Sequence, residues 1–549
     1  MILRPGGLFW IGAALLLGGA AMAAVAATPS AEKAARQVDR LLAEEVFGEN
    51  TKPAPRVDDA TFLRRVWLDI IGDIPTPEHV TAFLLDPAED KRERVVRELL
   101  ADPQYGQNWA RYWRDVILMR RLEDRAAIVA NALVVELTEK FNNNEPWDKI
   151  AGEFITATGD VKENGATAIH IAQDGRTEET TAEISRIFLG IQIQCCQCHD
   201  HPYDQWKREQ FHELAAFFPR IAVRPVLSPT KRSLEVVADD RPGRPRRPNA
   251  DNPGRGSPEH FMPDLDDPAA PGTRMQPRFF LTSAQLPFGT RDGERRGTIA
   301  RWMTENPWFA TALVNRLWGE LVGEGFYEPI DDIGPDRTPS APKAVELLSG
   351  RFAESGYDVK WLFRAICATQ AYQRESRPRR DEDGTPFVAN VAQPLRSDQL
   401  YSALLTAVDV EESEQGFNPR GRRMPAMGAY GRNNTIRQQF EVAFGYDPSD
   451  PRETVTSSIP QALAMMNGAR INLAVRAIGR ETVLGRLLGE IKQDEPLVQE
   501  LYLRTLSREP TDEELETAVA FCKSTRNRPA AFEDLFWALL NSSEFSHRR

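Results

Sequence analysis

The clearest signal along the chain is a three-and-four spacing of apolar residues, broken by short polar turns. Ala31–Leu42 and Asp59–Ile71 carry it and read as helices. In "DIPTPEHVTAFLLD" Thr76 is placed to cap a helix. Pro77 takes the first helical position, where a missing N–H costs nothing. In "DKRERVVRELLADPQYGQNWARYWRDVILMRR" the residues Trp109, Tyr112, Trp113 and Val116 recur on one face, which is expected to be core. Glu178–Ile193 predicts another helix or buried run. After it, Trp206, Phe211, Leu214, Phe217 and Phe218 share a face of "YDQWKREQFHELAAFFP".

Beyond Pro219 the pattern fades. Residues 225–278 are rich in Pro, Gly, Arg and Asp and read as a linker or surface excursion. Helical spacing returns from Arg295, in "NPWFATALVNRLWGELVG", "APKAVELLSGRFAESG" and "VKWLFRAICATQAYQ". "REPTDEELETAVAFC" carries a capping box, Thr511 with Glu514. Strand signals are sparse and no fixed-period repeat occurs. The predicted fold is mostly α: two helical domains, 28–222 and 291–549, joined by an irregular Pro/Gly/Arg-rich segment, 223–290.

The first residues bear on compartment. Arg4 precedes the apolar run "GLFWIGAALLLGGAAMAAVAA", which ends in Ala24-Val25-Ala26, the A-x-A pattern of signal cleavage. Residues 1–27 therefore predict a secretory signal and a periplasmic or extracellular chain. The alternative is an uncleaved anchor, since the run approaches the ~20 residues a helix needs to span a bilayer. No later segment reaches that length. A net charge of −12 argues against nonspecific nucleic-acid binding and against a polybasic membrane surface.

Chemistry concentrates in "IQIQCCQCHDHPYDQW", Ile191–Trp206. Three of five cysteines and two of seven histidines lie there. Cys195, Cys198 and His199 form C-x-x-C-H, the pattern of covalent haem attachment. Two thiols three apart reach both vinyl groups of one haem, and the next residue, His199, is the proximal iron ligand. Cys196 is spare in this pattern. Haem c is thus the expected cofactor, with an unknown redox partner. The sixth position is open among His170, His212, His260, Met262 or none. His201 is expected to stand behind His199 with Asp200.

Other readings remain open: a Cys195–Cys198 disulfide, a thiolate–imidazole zinc site, or a hard-metal site on Asp200, His201 and Asp204. A noncatalytic binding or scaffold protein of the cell envelope, associated with polysaccharide or protein, is the alternative function. Cys367 and Cys522 are either buried free thiols or bonded to each other. The five arginines from Arg241 to Arg255 are either a solvated loop or a site for an anionic partner. Asp331, Asp332 and Asp336 in "YEPIDDIGPD" are either a solvated turn or a calcium or sugar site. Thr456, Ser457 and Ser458 have no nearby histidine and suit helix capping. No nucleophile elbow, P-loop or dinucleotide fingerprint is present.

"FLRRVWLDIIGDIPTPEHVTAFL", "YGQNWARYWRDV", "FLGIQIQCCQCHDHPYDQW" and "FHELAAFF" together resemble the planctomycete cytochrome-C-like domain of secreted bacterial proteins. "NPWFATALVNRLWGELVGEGFYEPIDDIGPD", "AYQRES", "RETVTSSIPQALAMMNG" and "LYLRTLSREPT...LLNSSEF" resemble its companion, a planctomycete-specific C-terminal domain. The resemblance implies domain order and an exported location. It assigns no activity, and its cytochrome label rests on Cys195, Cys198 and His199. Cys196 stands where the family pattern carries a small residue, which leaves an alternative disulfide pairing open.

Overall fold

The computed structural model describes residues 29–118, 123–227, 232–240, 259–267, 269–378, 384–410, 437, 440, 444–450 and 469–549. The expected signal at 1–27, the arginines from Arg241 to Arg255, and Thr456, Ser457 and Ser458 lie outside the described residues.

The fold is mostly α, with only small sheets, as its apolar spacing predicts. Local chemistry sets the helix ends. Ser30 caps Ala31–Glu45 and Asp58 caps Asp59–Ile71, each accepting a backbone N–H of the first turn. Gly72, at φ +74°, ends the second of these helices in the left-handed region that glycine enters without strain. Thr76 occupies the cap position before Pro77, but its hydroxyl faces His79 Nδ1 at 3.0 Å instead of capping the backbone. The Thr511–Glu514 capping box forms in both directions.

The expected apolar faces are core. Trp109, Tyr112, Trp113 and Val116 are buried on the helix Pro103–Leu118. Their rings continue a packed row: Phe363 against Trp109, Tyr112 against Trp113, Trp113 against Trp147, and Trp147 against Phe188, with centroids 4.6–5.9 Å apart. Trp206, Phe211, Leu214, Phe217 and Phe218 are buried as well.

One apolar core runs from Ala31 to Phe387, so the helices Asp292–Thr304, Pro307–Val322, Pro342–Glu354 and Val359–Ala368 share it with the N-terminal helices. A second core, Leu395 to Phe545, takes in Leu68 and Ile74. The helix Asp59–Ile71 is therefore buried nearly all round and lies between the two.

Inside the segment read as irregular, Ile221–Leu227 and Arg232–Ala238 form an antiparallel pair, with Val223 opposite Val236. Arg232–Ala238 is the middle strand of three, and Val236 is core. Pro225 obscures the alternation in sequence. It is tolerated because Ile221–Leu227 is an edge strand. Further on, Met275 and Phe279 are buried.

Buried arginines tie these parts together. On Asp59–Ile71, Arg64 donates to Thr505 O (2.8 Å) and Phe545 O (3.0 Å), while Arg65 donates to Tyr372 O and Arg374 O. Asp69 accepts from Arg548 Nε (2.6 Å) and from the Tyr372 hydroxyl (2.8 Å). Removing one partner of a buried pair leaves a charge with neither water nor counter-ion, at a cost of about 3–5 kcal/mol. Arg548→Ala is therefore expected to lower the denaturant midpoint strongly, and a midpoint close to that of the unaltered protein would show that Arg548 does not carry this load.

Candidate functional site

The helix Thr177–Leu189 delivers the cysteine segment. It ends at Gly190, φ +67°, where Gly190 N–H returns to Arg186 O. Ser185 Oγ donates to Ile191 O at 3.0 Å, which fixes the chain's exit direction. Gln194–Gln197 then form one turn of 3₁₀ helix. In that geometry residues three apart eclipse one another. Cys198 follows the turn as its C-terminal cap; Cys195 and Cys198 are both exposed, and Cys196 turns inward and is fully buried.

Burial pushes the Cys196 thiol up to about 12, with the nearby Cys195 and Asp200 acting in the same direction. Its S–H faces Trp206 O at 3.6 Å. Cys196 is thus a core group, distinct in kind from its two neighbours. Cys367 and Cys522 are buried free thiols in different cores and are not bonded to each other.

His199 is exposed. Its Nδ1 lies 2.7 Å from Asp200 O, which only accepts, so this nitrogen donates and Nε2 is the one left to ligate. Asp200 is tied in turn: its carboxylate accepts Arg208 N–H and Lys207 Nζ, both at 3.0 Å, and these contacts hold its acidity above that of an ordinary aspartate. His201 is occupied in the turn. Its N–H donates to Trp206 O (2.8 Å) and its Nδ1 accepts Tyr203 N–H (3.2 Å). Two exposed thiols three residues apart, followed by an exposed imidazole, are the groups that covalent haem attachment uses. The residues fit that group at the protein surface, where Tyr203, 76% exposed, is the large apolar side chain nearest in sequence.

The four candidates for the sixth position are placed differently. His170 is fully buried, with Nε2 on Ile155 O at 3.2 Å. His212 and His260 pair with each other, Nδ1 to Nε2 at 2.8 Å, with rings stacked 5.1 Å apart. His212 Nε2 also meets Gln197 O at 3.1 Å. A carbonyl only accepts, so His212 Nε2 carries a proton. In the neutral pair Nδ1 then accepts from His260 Nε2–H. Met262 sits on the short strand Phe261–Met262, beside the loop: Arg208 donates to Pro263 O at 2.6 Å and to Gln197 O at 3.4 Å.

Among the described residues, no group of three or more His, Cys, Asp or Glu side chains is placed to hold a metal ion. Asp331 instead accepts Arg186 (2.8 Å), Arg316 (2.9 Å) and Gln192 (3.2 Å), and Asp332 pairs with Arg337 (2.6 Å). These acids are committed to protein cations. The His212–His260 brace has no motif signature. The core-facing position of His212 beside Phe211 was its one sequence clue.

Residues 37–223 match the family model PSCyt2, a protein of unknown function (DUF1549), and residues 295–522 match PSD1, likewise a protein of unknown function (DUF1553). The chain belongs to the planctomycete family in which the cytochrome-C-like domain is followed by the planctomycete-specific C-terminal domain. No curated protein and no solved structure matches it.

Two outcomes follow from this geometry. With reduced native protein, iodoacetamide should label Cys195 and Cys198 and spare Cys196, Cys367 and Cys522 until denaturant is added; mass spectrometry reads the sites, and native labelling of Cys196 would contradict its burial. Burial also pushes His212 down to about 4 and His260 to about 3. The fold therefore holds both rings neutral. Their contribution is complete above the ordinary imidazole value of about 6.5 and is lost as pH falls from there, toward about 4 for His212 and about 3 for His260. Glu178 and Arg208 are the charged groups facing the pair. Thermal melting should soften across that window, and His212→Gln should flatten the dependence.

Proposed function

We propose that Cys195, Cys198 and His199 form a covalent haem-attachment site, and that the chain is an exported electron-transfer or oxidoreductase-associated protein. The observation that carries this reading is the exposed pair of thiols three residues apart, followed at once by an exposed imidazole whose Nδ1 is held by the Asp200 carbonyl. Cys195 and Cys198 would each form one thioether, and His199 would be the axial ligand through Nε2. The Asp200 carbonyl fixes the tautomer and aims the ring. A bound haem supplies one-electron chemistry at its iron. The thiols face solvent, so the haem edge would be open to a redox partner at the surface.

The remaining candidates leave the iron without a committed sixth protein ligand. His212 and His260 are used against each other, and His170 is bound to Ile155 O within the core. Met262, on the adjacent strand, is the one candidate not so committed. The exported location rests on residues 1–27. Among the described residues, no helix is long and apolar enough to cross a membrane. If the thiols hold no haem, the chain is better read as an envelope binding or scaffold protein.

Protein exported in a host with a haem-attachment system should keep haem through denaturation, read by a pyridine haemochrome spectrum. His199→Ala should abolish the native ligation spectrum or block maturation. His201→Ala should shift potential or stability and leave ligation intact. Absence of covalently retained haem in the unaltered protein would sink the proposal, and equal loss of ligation in both variants would displace His199 from its role.

A further inference from the structure

The turn between Ile330 and Arg337 belongs to the C-terminal family region, more than a hundred residues beyond the cysteines. It nevertheless runs along the whole approach to them. Ile333 N–H donates to Gly190 O at 2.7 Å, at the residue that ends the helix Thr177–Leu189. Asp331 takes Arg186 from that helix and Gln192 from the strand of chain leading to Cys195. A Cβ at Gly190 would come within 2.7 Å of Ile333 Cδ1. A Cβ at Gly334 would overlap Asp204 Oδ2, in the segment just after His199 and His201. Gly334 does not adopt a positive φ, so what an added Cβ would disturb is the Asp204 carboxylate and not the local backbone conformation. The contacts thus bracket the cysteine turn on both sides, at residues 186–192 and at 204.

We propose that the Ile330–Arg337 turn is a built-in wall of the C-x-x-C-H site, and that Gly334 is a positioning residue that seats Asp204 and through it the chain around Cys198 and His199. Asp331 is the anchor of this wall. Its carboxylate is shared by Arg186 and Arg316, so the turn is pinned to helices of both family regions at one point. The site is then composite: the first region supplies the thiols and imidazole, and the second supplies the surface that sets their spacing. Within this turn Asp331 acts through geometry, as the buried acceptor of Arg186 and Arg316. This inference concerns the placement of the loop and does not depend on what the thiols bind.

The test uses the reduced, cofactor-free full chain in four forms: unaltered, Gly334→Ala, Asp204→Ala, and the double variant. Two readouts are local to the loop. One is amide exchange of peptides spanning 198–210, where His201 N–H and Arg208 N–H are hydrogen-bonded. The other is the pH profile of Cys198 alkylation relative to Cys195. Gly334→Ala should speed exchange there by about tenfold and shift the ratio of the two thiol rates, with peptides from Pro103–Leu118 unchanged. In the Asp204→Ala background the same glycine substitution should do nothing, because the overlapping oxygen is gone. An equal effect in both backgrounds, or no effect in either, overturns the proposal. If Gly334→Ala alone fails to fold, folding of the double variant supports the proposal, and its failure overturns it. Haem retention is measured separately, so a negative haemochrome result leaves this outcome readable.

Discussion

The structure depends on buried guanidinium groups that satisfy backbone carbonyls and carboxylates from distant parts of the chain. Arginine suits this use because its planar fork presents five donors in fixed directions and keeps its charge when buried. Arg64 and Arg65, adjacent on one helix, reach opposite ways: one toward Thr505 and Phe545, the other toward Tyr372 and Arg374. Burial pushes both down to about 10, still far above neutrality. Arg396 meets Asp398 and Asn108 in the same manner, and Arg295 holds Glu259 with two bonds of 2.9 Å. Such contacts are directional and intolerant of slippage. They specify one arrangement of helices where apolar packing alone accepts several.

That constraint explains why the cysteine turn can be both exposed and ordered. Its own hydrogen bonds are few. Order arrives from behind: Arg186 fixes the end of the feeding helix, His212 holds the Gln197 carbonyl, and Cys196 plugs the underside against Trp206. Each support is buried, and each lies on an element already locked into the first core. An exposed site on a rigid base keeps its spacing while leaving the reactive atoms open to solvent.

The helical architecture was legible because long amphipathic runs such as Trp109–Val116 carry a strong periodic signal and strong cap residues. The hairpin at 221–238 was not. Arg224 and Pro225 interrupt its alternation, and the pairing that rescues it is set by tertiary context at a sheet edge. The chemistry-bearing residues of the site were legible as a string, since three cysteines and a histidine are rare in this composition. Their partners were not. His212 and His260 are 48 residues apart, Gly334 and Asp204 more than a hundred, and no local pattern encodes such meetings. The carboxylates of "YEPIDDIGPD" illustrate the limit from the other side. In sequence Asp331 resembles a solvated turn acid, and only its placement between Arg186 and Arg316 shows a buried anchor.

The extra cysteine becomes intelligible from the turn type. In an α-helix, residues three apart are offset by about 60° around the axis, whereas in a 3₁₀ turn they stack, separated by about 6 Å of rise. Here the turn spans Gln194–Gln197 with Cys198 as its C-terminal cap, and Cys195 and Cys198 are both exposed. Of the two positions between them, Cys196 is buried and Gln197 is half-buried. One of these, Cys196, meets the core beside Trp206, where a small apolar side chain with a weak donor is what the space and the Trp206 carbonyl accept. The other, Gln197, turns its carbonyl to His212. A single turn and its cap thus combine two exposed thiols, a third thiol packed into the core, and a carbonyl held by His212.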